Sequence, residues 1–506
     1  MPSFGFVGPS YVGRSPVVAC EQLINLFPEL QEAGNSASKG SKYNLYGTPG
    51  TSVFCTLGGP VRALRGGNGF LYAIGGDVLY SIAYDGTATA VGTIGSATTP
   101  GQIVIGPYGV SAALLVWDGT DGSAGANTWW SDGVVPPFAV ISSVGITYCN
   151  GYYLALRPGG TDWSGDPVPI NTLDQTQFNV SNILDGSTWN PLYYAIKIGA
   201  GDALQMIFAP GTLGGGPEEL WLFGQKTIEV WYAVPGTASN PFPFQQVQGA
   251  YINQGLWAAN SITGLADGIY YLSGDERGVG MVVRMNGYIP QRVSTHAIEY
   301  LIQSWATAGI DTSAATGYGY QEQGHNFYVL TFPGAGTLVY DVTENLWHQR
   351  GSGGTVGGAG VSQALGAQFH AEVWNMHLTG DLNSGRIYAT SLATYEDAGN
   401  PLWRVRAAPH LNQEQLWTFY DKLQLDFGPY PPATTATFYL EISDDGGQTF
   451  NDPITVTVGD GGTSPTRAQW RRLGHSRNRV FRISTSDAVA QAWVDAYLAS
   501  RAGTGL

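Results

Sequence analysis

Short apolar or aromatic runs alternate along the chain with turns rich in Gly, Asp and Asn, a pattern of strand, tight turn and second strand. The unit recurs in GFLYAIGGDVLYSIAYDGT (69–87), ITYCNGYYLALRPGG (146–160), ELWLFGQKTIEVWYAVPG (219–236), GIYYLSGDERGVGMVVRMNGYIP (268–290) and HNFYVLTFPGAGTLVYDVTENLWHQR (325–350). The hairpin centres fall roughly 40 to 70 residues apart, which suits propeller blades carrying insertions. The repeats divide equally well into six or seven blades.

A parallel α/β fold would require amphipathic helices between the strands. Only Ser294–Ala306 reads that way: Ile298, Leu301, Ile302 and Trp305 follow the i, i+3, i+4, i+7 pattern, with Thr295 as N-cap. The expected fold is therefore all-β, a six- or seven-bladed β-propeller over residues 59–398. An extended, Pro-punctuated segment over 1–58, with NLFPEL and YGTPGT, closes or flanks the ring and so removes a free sheet edge. From about residue 400 the pattern changes to LWTFYDKLQLDFG, TATFYLEISDDGGQTF, PITVTV, RAQWRRLG and RVFRISTS, which predicts a jelly-roll-like β-sandwich over 399–506. The glycines of 351–360 read as a loop before it.

Composition agrees with strands and tight turns: 71 Gly, 28 Tyr and 15 Trp against a charged share of 12%. The net charge of −15 excludes a protein that grips nucleic acid through clustered Lys and Arg. That charge is uneven. Residues 1–400 hold 13 basic and 28 acidic side chains, whereas 401–506 hold 10 of each. Cys20, Cys55 and Cys149 lie far apart without zinc-ligand spacing, so each is expected as a buried free thiol. Lacking a signal-peptide pattern and any apolar run of about 18 residues, the sequence predicts a soluble protein made in a cytoplasm with no membrane-spanning segment.

SDDGGQTF (443–450) fits the Asp-box pattern S-x-D-x-G-x-T-F/W of sialidases and other propellers. Ser443, Asp445, Gly447, Thr449 and Phe450 are expected to form a structural hairpin: Asp445 accepts hydrogen bonds across the turn, Gly447 relieves its strain and Phe450 anchors it. The acidic pairs Asp275–Glu276 and Glu218–Glu219 are candidates for a glycosidase dyad but read as solvated turns. DGTDGSAG (118–125), with Asp118 and Asp121, lacks the spacing of a calcium loop. The seven His are scattered, and neither a phosphate-binding loop nor a G-x-S-x-G elbow occurs. No catalytic residue, cofactor or metal is expected. Arg467, Arg471, Arg472, Arg477, Arg479 and Arg482 fall within sixteen residues, which suits bidentate docking on an acidic partner or solvated strand faces, with phosphate contact as a third reading.

LFGQKTIEVWYAVPG (222–236), with Phe223-Gly224 and Thr227-Ile228-Glu229, resembles a blade strand of the packaged-DNA stabilisation proteins of short-tailed phages, the stopper, tail-hub or nozzle type. Gln254-Gly255 before an apolar strand, AIEYLIQSW (297–305) and LVYDVTENLWHQR (338–350) are similar to that family's downstream elements, in the same order. NLFPE (25–29) and TPGT (48–51) are similar to its opening. Two stretches, 118–133 and 159–190, depart from the pattern as extended loops. The resemblance implies a virion tail protein, assembled in the host cytoplasm, whose copies form a ring, a hexamer. That ring would lie below the portal and adaptor and above the tail needle, tip, fibre or spike proteins, retaining packaged double-stranded DNA and later conducting it. Two alternatives stay open: a propeller glycosidase, and a receptor-binding propeller using loop aromatics such as Trp129-Trp130.

Overall fold

The computed structural model describes residues 3–31, 43–108, 111–122, 125–132, 136–157, 177–198, 202–210, 218–236, 241–275, 278–355, 364–412, 416–428, 434–459 and 466–503. Antiparallel four-stranded units succeed one another from residue 61 to 391, and their number among the described residues is seven. Blade one is Val61–Gly67, Phe70–Gly75, Val78–Ile82 and Ala88–Thr93; blade two runs from Gln102–Tyr108 to Phe138–Ile141, and blade three from Ile146–Cys149 to Asp185–Ile196. Blades four and five span Leu204–Phe208 to Phe244–Ile252 and Thr263–Leu265 to Ile289–Arg292. Blade six comprises Thr316–Glu322, His325–Phe332, Gly336–Asp341 and Leu346–Arg350; blade seven comprises Ala367–Val373, Met376–Asp381, Arg386–Ser391 and the N-terminal strand Gly50–Thr56.

Middle strands of a blade are covered on both faces, which is why they read as nearly unbroken apolar runs such as AALLVW and LWLF. Their side chains fill layers between neighbouring blades: Ile74, Ile103 and Leu114 between one and two, Leu115, Trp130 and Tyr153 between two and three, Phe178, Leu220 and Trp231 between three and four. The predicted helix is present as His296–Thr307. Thr295 caps it in extended conformation, its Oγ1 accepting from Ile298 N at 3.4 Å. Ala297, Ile298 and Ile302 turn inward onto the layer between blades five and six, where Trp305 meets Phe332 at a ring distance of 5.0 Å.

Two sequence expectations need correction. Trp129 and Trp130 belong to the strand Thr128–Ser131, not to an exposed loop; Trp130 is buried and packs edge-on against Tyr153 at 5.0 Å. Likewise 118–133 contains that strand, and 159–190 contains Gln177–Asn182 and the start of Asp185–Ile196, with 158–176 outside the described residues. Part of the glycine stretch, 356–360, also lies outside them.

The N-terminal segment serves the propeller and the sandwich together. Gly50–Thr56 pairs with Arg386–Ser391 to complete blade seven; a Cβ at Gly50 would lie 2.4 Å from the Thr394 carbonyl, so only glycine fits there. Upstream, Leu26–Leu30 and Tyr43–Gly47 enter one sandwich sheet with Ala492–Ala502, Thr418–Phe427 and Thr466–Arg471. Cys20–Ile24 enters the other with Arg404–Ala407, Asn478–Thr485, Ala436–Ser443 and Ile454–Val458. Phe6, Leu23, Leu26 and Leu45 therefore share one core with Leu423, Phe438, Trp470, Phe481 and Trp493. The second sheet also runs on into blade six through the parallel pair Ile24↔Gln349.

Asn25 sits at that junction, buried, with φ of 53°. Its backbone N donates to Gln349 O at 2.9 Å, its side-chain amide donates to Gly351 O at 2.9 Å and Trp403 O at 2.8 Å, and its Oδ1 accepts from Gly351 N at 3.1 Å. Asn tolerates the left-handed region better than other residues with a Cβ, and its amide both donates and accepts. Replacing it with Ala orphans buried backbone groups on both sides of the junction. Asn25→Ala is expected to destabilise the chain by about 2–4 kcal/mol, read as a lowered urea midpoint at unchanged m; a shift under about 0.5 kcal/mol contradicts the role.

Beside it, His325 Nδ1 lies 2.7 Å from Asp341 in blade six and Nε2 lies 3.4 Å from Glu29 of the sandwich. The bond to Asp341 holds the imidazole pKa above its usual 6.5 against the opposing effect of burial. A raised folded pKa contributes stability that is complete below the unfolded value and lost as pH rises through the folded one. Melting curves across that interval should show stability falling with pH, and His325→Gln should flatten the fall; an unaltered slope in the variant would refute it.

Candidate functional site

The Asp-box hairpin continues the strand Ala436–Ser443. Asp445 Oδ1 accepts from Ser443 Oγ at 2.7 Å and from the backbone N of Gln448 and Thr449 at 3.0 Å each; Oδ2 accepts from Thr449 Oγ1 at 2.6 Å. These bonds, that from Ser443 first, hold the carboxyl well below the usual carboxylate range. Ser443 Oγ in turn accepts from Gly447 N at 2.8 Å, and Gly447 adopts φ of +86°. A Cβ at Gly447 would come 2.9 Å from that of Cys20, so the hairpin tip rests on the N-terminal segment. Asp445 is thus occupied in fixing a turn.

The six arginines divide by what they touch. Arg479 is buried and bidentate to Asp444 at 2.7 and 2.8 Å, with Tyr420 under its guanidinium at 4.7 Å. Arg482 is bidentate to buried Glu441 at 2.7 and 2.8 Å and covers Phe450 at 3.9 Å. Both hold the sandwich together from within. Arg467, Arg471, Arg472 and Arg477 are exposed: Arg467 lies 3.5 Å from Asp426, Arg471 donates to Gln469 at 3.4 Å, and Arg477 covers Trp417 at 4.9 Å.

Around Arg477 lies a feature the sequence reading missed, an exposed strip of Trp417, Phe419 and His475 flanked by Arg477 and Arg501. Its signal was the alternation in WTFY, where Thr418 and Tyr420 turn into the core and their neighbours out. A second feature is the propeller hub, a cavity of about 770 Å³ lined by the first strands of the blades. Amide and hydroxyl groups of Gln102, Asn260, Thr316 and Gln368 line it. Burial and His377 push the His370 imidazole there down to about 3, so it is neutral.

The remaining candidates have structural work. Glu218 accepts from Asn150 N at the turn of blade three, and Glu219 accepts from Tyr288 and, at 3.2 Å, from Trp221 Nε1. Asp275 ends a strand, and Glu276 lies outside the described residues. Asp118 is buried and caps its own turn, accepting from Thr120 N at 2.9 Å; Asp121 also has an interaction partner. Among the described residues no group of three or more His, Cys, Asp or Glu could hold a metal. Cys20 and Cys149 are buried as expected, whereas Cys55 is only half-buried; burial pushes the thiols of Cys20 and Cys55 up to about 11 and that of Cys149 up to about 12. No helix is long and apolar enough to cross a membrane, among the described residues.

Truncating Arg482 leaves Glu441 buried without its cation. Arg482→Ala is expected to cost about 3–5 kcal/mol, whereas Arg471→Ala should stay within about 0.5 kcal/mol. Equal effects in chemical denaturation would overturn this division.

Residues 19–395 match the family described as bacteriophage P22 Gp10, β-propeller, and residues 403–500 the family described as bacteriophage P22 Gp10, β-sandwich. Among solved structures, the Neurospora crassa Pan2 WD40 domain is 9% identical over 67% of this chain and 94% of that chain, at a TM-score of 0.39. The computationally designed Ika8 protein is 9% identical over 67% of this chain and 99% of that chain, at 0.37. Likenesses at that level carry no argument, and the fold rests on strand pairing. No curated protein matches the chain.

Proposed function

The chain belongs to the family of bacteriophage P22 Gp10, and from that membership we propose that its copies form a ring, a hexamer, below the portal and its adaptor and above the tail needle, tip, fibre or spike proteins. The chain is a structural component of a phage tail, of the kind that stabilises packaged DNA. The ordered match of both domains carries this reading. Assembly in the host cytoplasm and a wholly non-catalytic role belong to the same proposal.

Two physical features support a conduit made between copies. Spread over the roughly 20 Å length of a six-residue strand, a hub of about 770 Å³ has a cross-section of roughly 40 Å², too narrow for duplex DNA, whose major groove alone is about 12 Å wide. A chain whose residues 1–400 carry a net −15 repels phosphate, so a wall built from it would let DNA slide. Of the exposed arginines, Arg471, Arg472 and Arg477 are the proposed contacts to acidic neighbours, Arg467 lying already beside Asp426 at 3.5 Å.

Particles made without this protein should package DNA and then lose it, measured as nuclease-sensitive DNA and restored by supplying the chain. Heads that keep their DNA would overturn the proposal. Purified chain at about 10 µM should leave duplex DNA unretarded at physiological salt.

A further inference from the structure

Trp417 is 40% exposed, Phe419 37% and the adjoining Leu416 42%, a run of apolar surface at one end of the sandwich. The rings are already ordered. Arg477 covers Trp417 at 4.9 Å, His475 meets Trp417 edge-on at 4.9 Å and Phe419 at 5.2 Å, and Arg501 covers Phe419 at 5.4 Å. A pre-stacked strip loses little side-chain freedom when something docks on it, and Trp with Arg is the composition of interface hot spots. Among the described residues of the strip two arginines stand against one carboxylate, Asp421, 3.5 Å from Arg501.

An electrostatic complement is present on the chain itself, since residues 1–400 carry a net −15 while 401–506 are neutral. We propose that the strip Arg477–Trp417–His475–Phe419–Arg501 docks on the acidic propeller of a second copy, the arginines meeting carboxylates while the rings exclude water at the centre. Two different surfaces then meet, a heterologous contact that passes from copy to copy and closes when the rotation allows. The inference rests on the ring reading above and gives it a surface.

Sedimentation velocity of the full chain tests it. Self-association is expected at low ionic strength and weakens as salt is added. Trp417→Ala with Arg477→Glu should weaken it at least ~30-fold, and Arg501→Glu, on a side chain 71% exposed, should weaken it without lowering the melting temperature. Arg467→Glu, at the opposite end of the same sheet, should leave it within about twofold. A wild-type chain that stays monomeric, a double variant that associates like wild type, or an equal effect of Arg467→Glu would overturn the proposal. Virion content is scored separately: wild-type protein missing from particles would sink the tail reading and leave the solution result standing.

Discussion

Everything in this molecule depends on how the segment before residue 57 is tied down, and the knot is Asn25. Its hydrogen bonds reach Gly351 and Trp403, 326 and 378 positions away in sequence. On one side of it Cys20–Ile24 extends the blade-six sheet into the sandwich; on the other Leu26–Leu30 crosses to the opposite sandwich sheet and Gly50–Thr56 closes the ring. These pairings are strongly non-local, and their closure entropy must be met before any apolar contact rewards it. Residues beyond 399 share their core with Phe6, Leu23, Leu26 and Leu45, so the two ends of the chain complete one sandwich.

Buried cations make the same kind of tie with carbonyl groups. Arg62 is fully buried and donates to Gly76 O at 2.7 Å within blade one, and to Thr99 O and Gly95 O at 3.3 and 3.2 Å towards blade two. Arg406 donates to Phe6 O at 2.6 Å and Pro9 O at 2.9 Å, pinning the first residues to the sandwich. Burial lowers its pKa to about 10, still well above neutrality. A guanidinium has five donors in a planar fork and can gather carbonyls from several loops at once, which offsets part of its desolvation. A chain so poor in charge spends several of its arginines this way.

Local features were the legible ones. Hairpins announced themselves by Gly and Asn between apolar runs, and Thr295 with its i, i+4 partners announced the helix, because turn chemistry and amphipathic period are written within a few residues. The Asp-box bonds could be read for the same reason. Blade number could not, since it depends on Gly50–Thr56 supplying a fourth strand to residues more than 300 positions later. Trp129 and Trp130 misled because their surroundings are rich in Gly and Asp, although Trp130 faces the layer between blades. The arginine cluster looked uniform in one dimension and divides only when strand register brings Asp444 and Glu441 beside Arg479 and Arg482. Trp417 and Phe419 lay in a run that reads as core until Thr418 and Tyr420 are seen to take the inward positions.

The sheet that passes from blade six into the sandwich is also a load path. A pull on the sandwich reaches the propeller along hydrogen-bonded strands at Ile24 and Gln349, and the same N-terminal thread that carries it also latches blade seven shut. Force on one part is therefore passed to the strand that closes the other. A part that must withstand pressure from a packed genome is mechanically safer when its two bodies cannot be loaded independently.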